Sequence, residues 1–156
     1  MVQVAAGLSA RRLAVICIPA FPAAELAWLQ ELRATHDPEH FRLVAPHVTL
    51  VFPTAALAQT PFVAHVASCL RGMRGSAVEF SAAAMVRDEE TGLHLVYLLA
   101  GAGAELFLRL HERLYAGPLA PERRPDIPYA PHVTVGRFAS PDEAVDLAQR
   151  IDATRR

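Results

Sequence analysis

Short apolar segments, separated by glycine, proline and polar residues, recur along the chain and predict the strands of a β-sheet. The predicted strands cover residues 13–18, 41–44, 47–52, 77–86, 93–99 and 132–138. A polar stretch from Asp88 to Gly92 separates the fourth and fifth segments and predicts a hairpin turn. Residues 1–10 lack such a pattern, and we expect them to form a loose leader.

Apolar residues at helical spacing predict four helices, at residues 22–35, 61–71, 103–115 and 141–151. In the first of them, Leu26, Leu29 and Leu32 fall on one stripe. A proline opens three of the four helices, a position that proline favours. Residues 36–40 form a polar break after the first helix. Residues 117–131 contain five prolines and no periodicity, which predicts a long loop.

The pentapeptide Ala-Pro-His-Val-Thr occurs twice, at residues 45–49 and 130–134. Each copy follows a predicted helix, begins a predicted strand and precedes a helix that starts with proline. In this composition a His-x-Thr-hydrophobic match is expected only about 0.17 times by chance. The two copies therefore indicate one supersecondary unit that the chain uses twice.

Strand geometry gives the repeated motif its chemical meaning. Side chains two positions apart project from the same face, so His47 and Thr49 point together, as do His132 and Thr134. The alternate residues, up to Phe52 if the strand stays regular, are expected to face an apolar core. Two imidazoles that titrate near neutrality can act as base and acid on one phosphorus, while two hydroxyls hold its non-bridging oxygens.

The composition limits the choice of fold and partner. Of the 156 residues 53% are hydrophobic and 20% charged, which is typical of one folded domain. Fifteen basic residues, all arginine, against 16 acidic residues give a formal net charge of −1. This balance argues against a protein that coats nucleic acid through its phosphates. The absence of lysine excludes catalysis through a Schiff base or a nucleotidyl-lysine intermediate.

The cysteines and the other histidines do not predict a metal or a cofactor. Cys17 and Cys69 are too few for a disulfide framework or a zinc site, and two reduced thiols are expected. The segment 36–40 holds two histidines beside two acidic residues, but Pro38 breaks any helix there. We therefore expect catalysis without a metal and without a cofactor.

Residues 11–24 resemble a signal peptide, with arginines, an apolar stretch and small residues. The apolar run before Pro19 is short, however, and a buried first strand explains it better. No run approaches the roughly 18 apolar residues of a membrane-spanning helix. The chain also lacks heptads and a long exposed apolar stretch. We expect a cytoplasmic monomer that does not cross a membrane.

The paired motifs, His47-Val48-Thr49-Leu50 and His132-Val133-Thr134-Val135, resemble those of the 2H phosphoesterase superfamily. The bacterial 2′-5′ RNA ligase-like, or RNA 2′,3′-cyclic phosphodiesterase, family fits best, because the motif separation and the total length both match. The resemblance implies one α+β domain over residues 1–156. Its two lobes, roughly 11–75 and 76–156, would be related by a pseudo-two-fold axis, and strand exchange between them is left open. Antiparallel sheets would line a central cleft, with the helices outside.

The same resemblance implies metal-independent hydrolysis of 2′,3′-cyclic phosphates, or of 2′-5′ phosphodiester bonds, in nucleotides or RNA ends. His47 and His132 would be the acid/base pair, and Thr49 and Thr134 the phosphate ligands. Arg137 stands where this family often has an arginine. Strand parity turns Arg137 away from the His132 face, so it would reach the phosphate only across a bulge at the preceding glycine.

Other contacts and other functions stay open. Tyr129 can stack on a base or pack on the second sheet, and Arg123-Arg124 can meet a further phosphate or lie in a solvated turn. The near-neutral charge favours a small nucleotide or an RNA end over a long RNA in an extended groove. The alternatives are a nucleotide-binding sensor without turnover, an exonuclease, or a phosphodiesterase of cyclic dinucleotides.

Overall fold

The computed structural model describes residues 2–6 and 12–155. The strands in this part of the chain are β1 Val2–Ala6, β2 Leu13–Cys17, β3 Val48–Thr54, β4 Phe80–Arg87, β5 His94–Ala100 and β6 His132–Phe138. The helices are α1 Ala23–His36, α2 Pro38–Leu43, α3 Gln59–Leu70, α4 Glu105–Leu114, α5 Pro141–Thr154 and a 3₁₀ helix at Gly117–Glu122.

The strands form two antiparallel three-stranded sheets, each drawn from one half of the chain. Their orders are β1-β2-β3 and β4-β5-β6, so both follow the order of the sequence. The strand that carries the repeated motif is in each case the last strand, at the edge of its sheet. The α+β fold with two antiparallel sheets that the sequence predicts is confirmed. The division into two lobes stays a prediction.

Two helices pack against strands from the other half of the chain. Helix α1 of the first half packs against β6 of the second, and α4 of the second half packs against β3 of the first. Helix α5 covers β4 and β5. One hydrophobic cluster joins the parts, because Leu29 of α1, Val51 of β3 and Val133 of β6 all belong to it and are almost fully buried. Burial of apolar surface thus holds both sheets in one structure.

The prediction of a loose leader at residues 1–10 is wrong for Val2–Ala6. These residues form β1 and pair antiparallel with β2, with Val4 opposite Val15. The pairing occupies the edge of β2 that β3 does not cover, and backbone hydrogen bonds at such an edge need no strong side-chain pattern. Residues 7–10 lie outside the described residues.

The predicted strand at 41–44 is also wrong, because most of it belongs to the short helix α2. Pro38 stands at the first position of α2, which suits its fixed φ. The buried Arg33 side chain donates hydrogen bonds to the carbonyls of His40 (3.1 Å) and Val44 (2.7 Å), near the carboxyl end of α2. Such long-range capping is invisible in the local sequence.

Two smaller features complete the fold. The predicted loop at 117–131 begins with the 3₁₀ helix, in which Leu119 is fully buried, and continues as exposed chain as far as Pro128. No helix in the described part of the chain is long and apolar enough to cross a membrane.

Candidate active site

The two repeated motifs meet in one cleft. The edge strands β3 and β6, which carry them, contact each other. The cleft has a volume of about 450 Å³, within the range of small-molecule sites. The motif side chains in its lining are His47, Thr49, His132 and Thr134. The structure therefore brings together the four residues that the motif spacing predicts on a shared polar face.

The two imidazoles are held in the same way. Nδ1 of His47 lies 2.8 Å from the carbonyl oxygen of Ala45, and Nδ1 of His132 lies 2.7 Å from that of Ala130. A carbonyl oxygen can only accept, so each Nδ1 carries a proton and donates it. In the neutral ring this leaves Nε2 as the unprotonated nitrogen, available to a ligand in the cleft. The motif thus fixes both the orientation and the tautomer of its histidine.

Burial makes both imidazoles weak bases. It lowers the pKa of His132 from its ordinary value of 6.5 to about 4, against the opposing effect of the hydrogen bond to Ala130. Burial also lowers the pKa of His47, and the positive charges of Arg33 and Arg137 act in the same direction. Both rings are therefore mostly neutral at pH 7 in the empty cleft. A negative phosphate bound between them would favour their protonated forms.

Tyr97 of β5 supports His132 from one side. The two rings stack with centroids 3.5 Å apart and planes 15° apart, and Tyr97 itself lines the cleft. In the sheet Tyr97 pairs with Thr134, so its side chain projects from the same face as the motif. Tyr97 lies outside both motifs, and the sequence pattern did not predict its role.

A β-bulge in β6 turns Arg137 into the cleft. Thr134 and Gly136 pair with consecutive residues of β5, so the pairing skips Val135. The extra residue reverses the strand parity beyond it. Arg137 therefore lines the cleft together with Thr134 and is not turned away. Strand parity had made such a bulge the condition for Arg137 to reach the phosphate that the resemblance implies.

The same bulge occurs at the corresponding position of β3. Thr49 and Val51 pair with consecutive residues of β2, so the pairing skips Leu50. Phe52 consequently lines the cleft and is 48% exposed. The prediction that Phe52 faces the core is wrong, because it assumed a regular strand. Phe52 and Arg137, each three residues beyond a motif threonine, occupy corresponding positions of the two units.

A buried carboxylate lies beneath the arginine. Asp37, at the junction of α1 and α2, is only 3% exposed. Its Oδ2 accepts a hydrogen bond from Nε of Arg137 at 3.1 Å, and its Oδ1 accepts one from Nδ1 of His40 at 2.9 Å. Asp37, His40 and Arg137 all line the cleft. From the sequence alone, this segment was predicted only to be a polar break without a metal site.

Tyr129 lies behind the motif strand and is not among the residues that line the cleft. Its ring stacks on His111, with centroids 3.7 Å and planes 4° apart. Its hydroxyl donates a hydrogen bond to the carbonyl oxygen of Thr49 at 2.8 Å, and burial raises its pKa, which keeps the donor protonated. This geometry favours a contact that holds β3 over the predicted stacking on a base.

The other charged groups of the described residues do not assemble a metal site. Among the residues that the structure describes, no three His, Cys, Asp or Glu side chains are grouped so that they could hold a metal ion. Arg123 and Arg124 are exposed and lie outside the cleft lining, and Arg124 pairs with Asp126 at 3.1 Å. Asp88 and Glu90, from the turn between β4 and β5, add negative charge to the cleft.

Comparison with protein families decides the relationship of this chain. The family model described as the 2′-5′ RNA ligase superfamily matches residues 21–156, which include both motifs. The chain belongs to the 2′-5′ RNA ligase superfamily. The resemblance drawn from the two His-x-Thr motifs is thereby confirmed.

Two curated relatives of this superfamily member come from Bacillus. A Bacillus licheniformis protein is 29% identical over 122 residues, which cover 74% of this chain and 65% of the relative. A Bacillus pumilus protein is 33% identical over 128 residues, 74% of this chain and 64% of the relative. Both carry the name "Putative phosphoesterase". The chain thus spans just under two thirds of the length of these relatives.

Residues that contact the motifs from distant parts of the chain had no local signal in the sequence. In this 2′-5′ RNA ligase superfamily member, Asp37 reaches Arg137 across 100 positions of the sequence. The position of Tyr97 could in principle be predicted, since pairing the strand 93–99 with the strand 132–138 places it near the motif face. The required register, however, includes the bulge, which the sequence does not specify.

Proposed function

We propose that this protein is a metal-independent phosphodiesterase that hydrolyses 2′,3′-cyclic phosphates of nucleotides or RNA ends. Nucleotides or RNA with 2′-5′ phosphodiester bonds are the other substrate that we propose, because their cleavage also needs an acid and a base at one phosphorus. One observation carries it: two histidines share a cleft, each held by Nδ1 so that Nε2 is left for the substrate. Such a pair supplies an acid and a base without a metal ion. The names of the Bacillus relatives support phosphoester chemistry.

His132 acts as the base in the proposed reaction. Its low pKa keeps it neutral at pH 7, and Nε2 takes a proton from the attacking water. The water oxygen bonds to phosphorus in line with the leaving ribose oxygen. His47, protonated under the influence of the bound phosphate, donates its proton to that oxygen as the phosphorus–oxygen bond breaks. The product is a 2′- or 3′-phosphomonoester, and one water is consumed.

The remaining cleft residues stabilise negative charge on the phosphate and contact the nucleoside base. The hydroxyls of Thr49 and Thr134 donate to the non-bridging oxygens, and these hydrogen bonds strengthen as negative charge develops on them. Arg137 adds a positive charge to the same oxygens. Phe52 offers an exposed aromatic surface for the nucleoside base.

The size and charge of the cleft favour a small substrate. About 450 Å³ suits a nucleotide or the end of an RNA. Asp88 and Glu90 in the lining disfavour further phosphates nearby, and the net charge of −1 offers no extended basic groove. Action as a monomer in the cytoplasm is part of the same proposal.

The test is turnover of defined substrates in excess EDTA. Purified protein is incubated with each 2′,3′-cyclic nucleotide and with short 2′-5′-linked RNA, and the 2′- and 3′-phosphate products are separated. We expect turnover of at least one cyclic nucleotide, with a single phosphomonoester isomer as the main product. Tight binding of AMP without any product release would contradict the proposal and favour a nucleotide sensor. Cleavage of cyclic dinucleotides or oligonucleotide ends alone would contradict the proposed substrate class.

A further inference from the structure

Asp37 has an unusual bonding pattern for its position. It stands immediately before α2, where an aspartate side chain ordinarily accepts a hydrogen bond from a backbone N–H of the first turn. The Asp37 side chain makes no such bond. Both of its oxygens point instead to side chains that line the cleft, Arg137 and His40. The carboxylate therefore serves the cleft and not the helix end.

The arginine is held by one nitrogen only. Nε of Arg137 donates to Asp37, and the guanidinium makes no hydrogen bond or ion pair through Nη1 or Nη2 within the described residues. A guanidinium presents its donors as a rigid planar fork. Fixing Nε therefore fixes the direction of the two Nη groups. Since Arg137 lines the cleft beside Thr134, that fork is available to a phosphate held by the threonines.

The burial of Asp37 argues that the pair has a use beyond stability. A carboxylate that is 3% exposed loses most of its hydration, and pairing with a cation typically does little more than offset that loss. Arg33, a buried arginine nearby, donates its hydrogen bonds to Gln30 and to the carbonyls of His40 and Val44, although the charge of Asp37 opposes the lowering of its pKa by burial. Within the described residues, the hydrogen bonds to the Asp37 carboxylate thus come from the side chains of Arg137 and His40.

We propose that Asp37 is a positioning residue that aims the guanidinium of Arg137 at the substrate phosphate. The inference rests on the proposed function, since it assigns the phosphate as the group that Arg137 meets. Asp37 comes from the first half of the chain and Arg137 from the second. The contact therefore holds Arg137, which follows the second motif, against the segment that precedes the first motif.

A double-mutant cycle tests whether Asp37 acts through Arg137. Turnover of 2′,3′-cyclic AMP and binding of inorganic phosphate are measured for the wild type, Asp37→Asn, Arg137→Ala and the double variant. A hydrogen bond between charged groups corresponds to roughly tenfold to a hundredfold in an equilibrium constant. We expect Asp37→Asn alone to weaken phosphate binding and raise KM by about that factor. In the Arg137→Ala background the same change should have almost no further effect.

A spectroscopic measurement separates positioning from general damage. In Asp37→Asn, the Nε–Hε resonance of Arg137, observed by ¹⁵N NMR, should shift, and its proton should exchange faster with water. The remaining resonances should still show a folded protein. Asp152→Asn is the matched control, because Asp152 accepts a hydrogen bond from the backbone N–H of Ala83, between α5 and β4. This control should lower stability without changing KM or phosphate binding.

The outcomes separate the two proposals. An Asp37→Asn loss of equal size in both backgrounds, or an unchanged Arg137 resonance, overturns the positioning role even if the enzyme turns over cyclic AMP. Absence of turnover, with phosphate binding that still depends on Asp37 through Arg137, overturns the proposed function alone. A wild type that neither binds phosphate nor turns over cyclic AMP overturns both.

Discussion

The environment of His132 links the candidate site to the stability of the protein. Its folded-state pKa of about 4 lies below the ordinary value of 6.5, so the unfolded chain binds a proton more readily over that interval. The stability that this difference provides is fully present above pH 6.5 and is lost as the pH falls toward 4. His47, His36 and His111 have pKa values lowered by burial and act with the same sign.

The free energy of unfolding should therefore fall between pH 7.5 and pH 5. His132 alone contributes up to about 2 kcal/mol of this fall. Urea denaturation at the two pH values measures it, and His132→Gln, which cannot titrate there, should show a smaller fall by about that amount. Equal pH dependence in the variant and the wild type would contradict the lowered pKa.

The motif residues were predictable because their information is local. A strand has a side-chain period of two, so His47 and Thr49 share a face whatever the rest of the chain does. Asp37 carried no comparable signal, because its partner Arg137 lies in the other half of the molecule. Polar contacts between distant segments depend on the tertiary fold, which the local pattern does not encode.

Among the elements, the bulged strand β6 decides what reaches the cleft. Gly136 packs so closely that a Cβ there would lie 2.8 Å from Cε2 of Phe138, 3.0 Å from Cδ2 of Leu147 and 3.2 Å from Cβ of His36. The strand therefore needs a residue without a side chain where it bends between α1 and α5. The bend is also what turns Arg137 toward the cleft.

Gly136→Ala should lower the free energy of unfolding by about 1–3 kcal/mol, the usual effect of overpacking. It should also raise KM, because relief of the contacts displaces Arg137. Gly75→Ala is the matched control, since no atom lies within 4 Å of its added Cβ and it should leave both quantities nearly unchanged. Unchanged stability and KM in Gly136→Ala would contradict the close packing of the bulge.

The loop before β6 holds the first motif through Tyr129. Tyr129→Phe removes the hydroxyl that donates to the carbonyl of Thr49 but keeps the ring that stacks on His111. We expect a loss of about 1 kcal/mol in the free energy of unfolding and a lower kcat. Unchanged stability and kcat in Tyr129→Phe would contradict this role of the hydroxyl.

The elements that the sequence did not predict are those formed by tertiary contacts. Helix α2 is short, and Arg33 binds the carbonyls near its carboxyl end. Local propensity does not include this contact and therefore predicted a strand at 41–44. Strand β1 exists as a partner of β2. The strand 132–138, by contrast, was predicted with its observed bounds, because a proline loop precedes it and the repeat marks its start.

At the scale of the whole molecule, helices that pack against strands of the other half hold the two halves together. Since α1 packs on β6 and α4 on β3, each sheet loses one of its covering helices if the halves separate. The resemblance to the 2H phosphoesterases implied two antiparallel sheets, but the packing of helices on the sheet of the other half has no counterpart in the sequence pattern. It follows from which apolar faces fit together in three dimensions.

Unfolding should consequently be a single cooperative transition. The only tryptophan, Trp28, lies on α1 and reports the contact between the halves, while far-UV circular dichroism reports all helices and strands. We expect both signals to change at the same urea concentration. Two separate midpoints would show that the halves unfold independently and would contradict this description.

The most direct test of the account is the hydrolysis of 2′,3′-cyclic AMP, in excess EDTA, by His47→Ala and by His132→Ala. Each change removes one partner of the acid/base pair, so kcat/KM should fall at least about a hundredfold in either variant. His65→Ala is the control, because His65 bonds the carbonyl of Leu114 and lies outside the cleft lining. It should keep the wild-type value. Loss in both motif variants alone is the predicted result, whereas near-wild-type turnover in either one would contradict paired-histidine catalysis.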